Sequence, residues 1–308
     1  MYTYGPVPSR RLGRSLGVSP IPPKTCTYSC VYCQLGRTNH LRADRESFFS
    51  KQEILTEIGE QLENSDVDFI TFVGDGEPTL CSDIGWLIRE CKERYHKPTA
   101  VITNGSLLFQ SDVRQELLAA DVVLPSLDAG SEQLFRLINR PHGRIRFEVM
   151  LQGLIDFHKE YSGELWLEVM LVAGINDTEE ALQDIRKAVE QISPNRLYIV
   201  TPIRPPAEIW VHPPSPERIV RAQEILGHAE TISFHESGDF GLTSFPGARE
   251  AILEIGARHP LRLQQALDIE VWFSEPGTVD AMLKDTRLLK VRYEDSEYLL
   301  PAHFVRMS

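Results

Sequence analysis

Three cysteines, Cys26, Cys30 and Cys33, stand in the run Cys-Thr-Tyr-Ser-Cys-Val-Tyr-Cys, a C-x3-C-x2-C spacing. Three thiolates this close can hold three irons of a 4Fe-4S cube, and no fourth cysteine lies nearby. Electron-transfer clusters fill all four corners with protein thiolates. A corner left open suggests chemistry at the metal, the logic that separates catalytic from structural zinc. Zinc is the weaker alternative, because structural zinc sites show two close pairs of ligands. The other cysteines, Cys81 and Cys91, sit one at a turn and one in a helical pattern. Cys91 falls on an apolar stripe and reads as a small core residue. Five cysteines cannot all pair in disulfides. The start Met-Tyr-Thr-Tyr-Gly-Pro also lacks a charged segment followed by an apolar run, so a reducing cytoplasm is the expected setting.

The pattern resembles the radical S-adenosylmethionine (SAM) superfamily, whose cluster loop carries the same spacing and an aromatic, here Tyr32, before the third cysteine. The resemblance implies one 4Fe-4S cluster on Cys26, Cys30 and Cys33. It also implies SAM chelated to the open iron, and reductive cleavage of SAM to a 5'-deoxyadenosyl radical that abstracts hydrogen from a substrate. A low-potential electron donor such as flavodoxin or ferredoxin is then expected.

Elements must position this loop. Ser15–Val18, Val67–Val73, Thr99–Thr103, Val122–Leu127, Leu165–Val172 and Arg196–Thr201 read as buried strands. Apolar stripes separate several of them: Ile54, Leu55, Ile58 and Leu62; Ile84, Leu87, Ile88 and Cys91; Leu182, Ile185, Val189 and Ile192. Asp177 and Glu180 are spaced like a capping box for the last stripe, and Asn176 stands beside them. Alternating strands and helices predict an α/β fold with a parallel sheet. Six such units resemble the partial (β/α)6 barrel of the superfamily.

Ligands gather at the carboxyl ends of such strands. Gly74-Asp-Gly-Glu-Pro78 follows the second strand and resembles the superfamily's Gly-Gly-Glu motif, with Asp75 where many members carry glycine. By resemblance its backbone and Glu77 hold the SAM amino group. Gly74 and Gly76 would let the backbone approach a ligand, and Pro78 closes the motif. The other reading is a plain turn. Thr103-Asn104, Ser126 and Asp128, and Asn176 end later strands, and the resemblance places them near the ribose or carboxylate of SAM. Arg140 and His142, in the Arg-rich loop-like stretch Asn139–Arg146, and Arg204, after the sixth strand, are candidate substrate contacts. Arg204 could grip a phosphate or carboxylate, or pair with Glu208. Trp210 reads as a loop anchor.

From about residue 246 the alternation ends. Helical patterns at 249–258, 261–267 and 277–284 precede a hairpin turning at Glu294-Asp-Ser296, which resembles a winged helix. The expected organisation is a radical SAM core over 1–245 and a winged-helix-like domain over 246–308. From residue 247 the tail carries 8 Lys/Arg against 10 Asp/Glu, which disfavours duplex DNA.

At 42% hydrophobic and 25% charged the chain is ordinary globular material. It has no apolar run near the roughly 20 residues that span a bilayer. Net charge is -12, yet residues 1–51 carry eight Lys/Arg against two Asp/Glu, +6, leaving -18 for the rest. A basic rim around the cluster loop favours RNA, and tRNA among RNAs, as substrate, with the wyosine-synthesis group as a distant likeness that carries extra upstream cysteines absent here. The acidic tail favours a protein substrate, as for a glycyl-radical activase or peptide-modifying enzyme. A cluster-bearing sensor without turnover is the third reading.

Overall fold

A computed structural model describes residues 1–9, 11–227, 229–232 and 240–302. The chain opens with an antiparallel pair, β1 (Thr3–Ser9) and β2 (Gly13–Val18). A two-residue pair follows, β3 (Thr25–Cys26) with β4 (His40–Leu41), and carries the first cysteine. Helices and strands then alternate: α1 (Lys51–Asn64), β5 (Phe69–Phe72), α2 (Ile84–Tyr95), β6 (Thr99–Thr103), α3 (Ser111–Leu117) and β7 (Val122–Pro125). Next come α4 (Glu132–Ile138), α5 (Phe147–Glu160), β8 (Glu164–Met170), α6 (Glu179–Ile192), β9 (Arg196–Val200), α7 (Pro216–Leu226) and β10 (Glu230–Ile232).

One sheet runs β1-β2-β5-β6-β7-β8-β9-β10, parallel from β2 onward. It curls into a partial barrel. Successive strand residues point to opposite faces. Val101, Val123, Leu165, Leu167, Leu197 and Ile199 join the large core under the helices. Their neighbours Ala100, Val122, Leu124, Trp166, Tyr198 and Val200 form a smaller cluster on the other face, which Leu12 joins. The expected helix stripes are the buried ones, with Leu62 half-buried and Cys91 fully buried.

Two strands of the large sheet escape the sequence pattern. β1 contains Pro6 and Pro8, which read as turn residues, but an edge strand tolerates proline. β10 is only three residues long. The capping box at Asp177 and Glu180 is not formed. Asp177 turns back to accept from the Gly174 N–H (2.7 Å), and Thr178 caps α6 through the Ala181 N–H (3.3 Å). Trp210 is 41% exposed, while its neighbour Val211 is fully buried against Val31, Ile138 and Val172.

The C-terminal elements are α8 (Ala248–Arg258), β11 (Leu261–Arg262), α9 (Leu263–Phe273), α10 (Thr278–Lys284), β12 (Leu288–Tyr293) and β13 (Ser296–Pro301). β13 lies between β11 and β12. These elements enclose a separate core that includes Ile252, Leu261, Met282 and Leu299. Phe240, Leu242 and Phe245 pack into it from before the expected boundary, and Val7 of β1 joins them. Among the described residues, no helix is long and apolar enough to cross a membrane.

Candidate active site

The cysteine loop is pinned on three sides. Thr25 bridges Gly76, the Cys26 carbonyl accepts from Arg42 N–H (3.0 Å), and Val31 N–H donates to the Ile138 carbonyl (2.9 Å). Cys26, Cys30 and Cys33 thereby line one cavity of about 290 Å³ with Gly74, Glu77 and Asn104. That volume is at the lower end of small-molecule pockets. Of the residues singled out from the sequence, Tyr32, Gly76, Thr103, Ser126 and Arg204 also line it. Pro78, Asp128, Asn176, Arg140 and His142 do not.

Gly76 is required by the packing of the chain itself. A Cβ there would meet the Thr25 carbonyl oxygen at 1.8 Å, so the close approach is to the cysteine loop itself. The Glu77 N–H donates to that same carbonyl (3.1 Å). The Glu77 side chain is 1% exposed and already accepts four hydrogen bonds. Thr79 N–H (3.0 Å), Thr79 Oγ1 (2.6 Å) and Thr103 Oγ1 (2.6 Å) reach Oε1, while Asn104 N–H (2.7 Å) reaches Oε2. Glu77 therefore ties the ends of β5 and β6 together and keeps capacity for another donor mainly at Oε2. Burial pushes its carboxyl up, against these hydrogen bonds.

Asp128 works from behind the wall. It accepts from Tyr32 Oη (2.5 Å), Asn139 Nδ2 (2.6 Å) and Met170 N–H (2.9 Å), which fixes the Tyr32 ring at the cavity. Burial pushes the Asp128 carboxyl up. Asn176 is fully buried and braces the same loop: it accepts from Val172 N–H and donates to the Asp128 and Met170 carbonyls.

The thiols are poised to need a cation. Burial and then the Glu77 charge push Cys26 up to about 12. Burial and Asp128 hold Cys30 well above the usual thiol range, and burial raises Cys33. Iron charge would reverse that balance, as metals do for coordinating thiols. Among the described residues no three His, Cys, Asp or Glu side chains are grouped to hold a single metal ion. Thiols spread around a cavity wall suit a multi-iron cluster better than one zinc. Tyr28 also lines this cavity, and its hydroxyl is buried with no hydrogen-bond partner among the described residues. Such a group costs free energy unless an acceptor is supplied, and a cluster would supply one.

Sequence reasoning passed over several lining residues. Lys24 is 5% exposed, and burial lowers its pKa. Gln34 donates to the Arg258 carbonyl (3.0 Å) and accepts from Arg204 Nη1 (3.0 Å). Arg204 also contacts His259, and Arg258 Nε donates to Asp75 Oδ2 (3.2 Å). Asp75, the departure from the superfamily's glycine, thus pairs with α8 of the C-terminal unit. The β12–β13 hairpin reinforces the contact, since Tyr293 and Tyr298 donate to the Pro202 and Ile203 carbonyls (3.2 and 2.6 Å).

Glu208 does not partner Arg204. It takes Arg37 Nε and Nη2 (3.0 and 3.1 Å) and Arg140 Nη1 (2.5 Å). His142 is a loop residue, its N–H on the Thr27 carbonyl (2.8 Å) and its Nδ1 accepting from Arg144 N–H. The basic excess of residues 1–51 is largely matched by distant acids. Arg11 meets Glu168, Arg14 meets Asp66, Arg45 meets Glu116 and Lys51 meets Asp83.

Residues 21–189 match the profile of the Radical SAM superfamily. A UPF0026 protein from Methanocaldococcus jannaschii is 35% identical over 310 residues, covering 96% of this chain and 95% of that protein. The chain belongs to the radical SAM superfamily. It is an enzyme of that superfamily, whose members use a 4Fe-4S cluster and SAM. A protein named GTPase Obg from Brachyspira hyodysenteriae is 48% identical over 202 residues. That stretch is 65% of this chain but only 30% of the longer protein. A radical SAM methyltransferase from Sphaerobacter thermophilus superposes with a TM-score of 0.54 at 18% identity, over 74% of this chain and 70% of that one, which shows a shared fold.

Proposed function

We propose that Cys26, Cys30 and Cys33 hold one 4Fe-4S cluster and that SAM occupies the adjoining cavity, for hydrogen abstraction from a substrate. The observation that carries this reading is the convergence of the three thiols with Gly74–Glu77 and Asn104 on one cavity. When bound and reduced, the group supplies one-electron cleavage of SAM. The chain's own part is positioning. Tyr32, held by Asp128, offers a flat face for the adenine. The Gly74–Gly76 backbone and Glu77 Oε2 suit the SAM ammonium, and Lys24 suits its carboxylate. Thr103 and Ser126, at strand ends, suit the ribose. The Arg258–Asp75 and Arg204–His259 contacts cover one rim and restrict water there.

Arg204, on the wall formed by Thr201–Arg204, is the substrate contact we favour; Arg140 and His142 act outside the cavity. The C-terminal unit has the element order of a winged helix, and we read it as a docking module. Of the two substrate classes, protein is better supported than RNA. Most of the basic residues that favoured RNA are paired with carboxylates, while Val271 (79% exposed) and Trp272 (51%) sit together on α9. A flavodoxin- or ferredoxin-like donor is the expected electron source.

The test is electron paramagnetic resonance of the anaerobically reconstituted, reduced protein. A 4Fe-4S signal that changes on adding SAM is expected. A signal indifferent to SAM, or zinc in place of iron, would overturn the reading. Retention of tRNA at physiological salt would reverse the substrate preference.

A further inference from the structure

The sulfur side of the cavity carries side-chain donors that the cysteine motif does not require. Asn104 Nδ2 lies 3.5 Å from Cys26 Sγ and donates to Thr27 Oγ1 at 2.7 Å. Asn139 Nδ2 lies 3.6 Å from Cys30 Sγ and donates to Asp128 at 2.6 Å. A carboxamide NH2 has two hydrogens. One is therefore committed to oxygen, which fixes the amide plane, and the other is directed at sulfur. Further bonds hold both residues. Asn104 Oδ1 accepts from Ser106 N–H (3.0 Å), while Asn139 is 3% exposed and its backbone carbonyl accepts from Ser29 N–H (3.0 Å), which holds the residue against the cysteine loop.

Tyr28 adds a third donor. It stands between Cys26 and Cys30 in the chain, is 2% exposed, and lines the cavity. Its ring packs edge-on against Phe135 at 5.3 Å, so the ring is held, while its hydroxyl has no partner among the described residues. A fixed, buried O–H without an acceptor calls for an explanation, and a group bound later beside it is one.

We propose that Asn104, Asn139 and Tyr28 form a hydrogen-bonding shell around the sulfur ligands, which raises the reduction potential of the cluster and eases its one-electron reduction. The inference rests on the cluster assignment above. Its physical basis is that reduction adds negative charge to the iron–sulfur unit. Donors aimed at sulfur favour that state, and such bonds are among the levers that set Fe–S potentials. These are positioning residues; none is asked to react.

The experiment is a dye-mediated potentiometric titration of the reconstituted full chain, read by electron paramagnetic resonance without SAM. Wild type is compared with Tyr28→Phe, Asn104→Ala and Asn139→Ala, with iron and sulfide counted in each. Each substitution should shift the reduction equilibrium about three- to tenfold towards the oxidised form. Tenfold is 59 mV for a one-electron couple. Tyr28→Phe is the decisive variant. It removes a hydroxyl that bonds nothing among the described residues, so the unfolding midpoint of the metal-free chain should hold or rise while the potential falls. An unchanged potential in Tyr28→Phe and Asn104→Ala, at full iron content, overturns the proposal. So does a rise. Failure of wild type to assemble a cluster would instead overturn the assignment on which it stands, and the proposal with it.

Discussion

Gly76→Ala should uncouple the cysteine loop from the strand that braces it. The new Cβ would lie 1.8 Å from the Thr25 carbonyl oxygen and 2.6 Å from its carbon. Real Cβ contacts essentially never fall under 3.0 Å, so the two backbones must part by about 1.2 Å (3.0 minus 1.8). That motion strains the Glu77-to-Thr25 bond (3.1 Å) and the adjacent Lys24-to-Asp75 bond (2.6 Å). Overpacking costs about 1–3 kcal/mol, and two weakened backbone bonds add about 1 kcal/mol each. The sum, about 3–5 kcal/mol, corresponds to a fall of about 1 M or more in the urea midpoint of the metal-free chain. Gly143→Ala is the control. A Cβ there meets nothing within 4 Å, and the change should be neutral or stabilise by up to about 1 kcal/mol. Equal midpoints for wild type and Gly76→Ala would refute the packing argument. A fall without loss of bound iron would show that the loop does not need this brace.

Three other perturbations test the surroundings. Glu208→Gln removes the carboxylate that Arg37 and then Arg140 hold below the usual glutamate range. A depressed pKa gives stability that is present above the unfolded value, near 4.3, and lost as pH falls through the folded one. The melting-temperature gap between wild type and this variant should therefore close as pH drops from 5 towards the folded value, and a gap that widens would contradict it. Asp75→Ala and Arg258→Ala should couple by about 1–3 kcal/mol in a double-mutant cycle, because both side chains are mostly buried; strict additivity would mean the C-terminal unit is held by other contacts. Asp128→Asn removes an acceptor for Tyr32 while leaving the cysteines intact. It should weaken SAM binding about tenfold, roughly 1.4 kcal/mol, at unchanged iron content, and unchanged affinity would show that the Tyr32 ring needs no such support.

The cysteine spacing made the site legible because its partners are local in the chain. The strands from β5 to β9 were legible for a related reason: each is a short apolar run bounded by turn residues. β1 was hidden by its prolines, which signal turns unless the strand lies at an edge. The polar residues at strand ends were visible as a set, but not their division of labour. Asp128 and Asn176 could not be told from cavity-lining residues, since Tyr32 is 96 positions from Asp128. Asn139 carries no motif, and its sulfur contact lies 109 positions away. The basic start misled for the same reason. Counting charge along the chain cannot show that Arg37 meets Glu208 across 171 positions, or that Arg45 meets Glu116 across 71. Asp75 looked like a defect in a glycine motif, and only the fold shows it paired with Arg258.

The central claim is that three thiols around one cavity support radical generation from SAM. The direct measurement is 5'-deoxyadenosine released by the anaerobically reconstituted protein with dithionite and SAM, beside Cys30→Ala. Release from the wild type that disappears in the variant is the expected result. Equal release from both, or none from a wild type shown to hold an intact, SAM-responsive cluster with an effective reductant, would contradict the account.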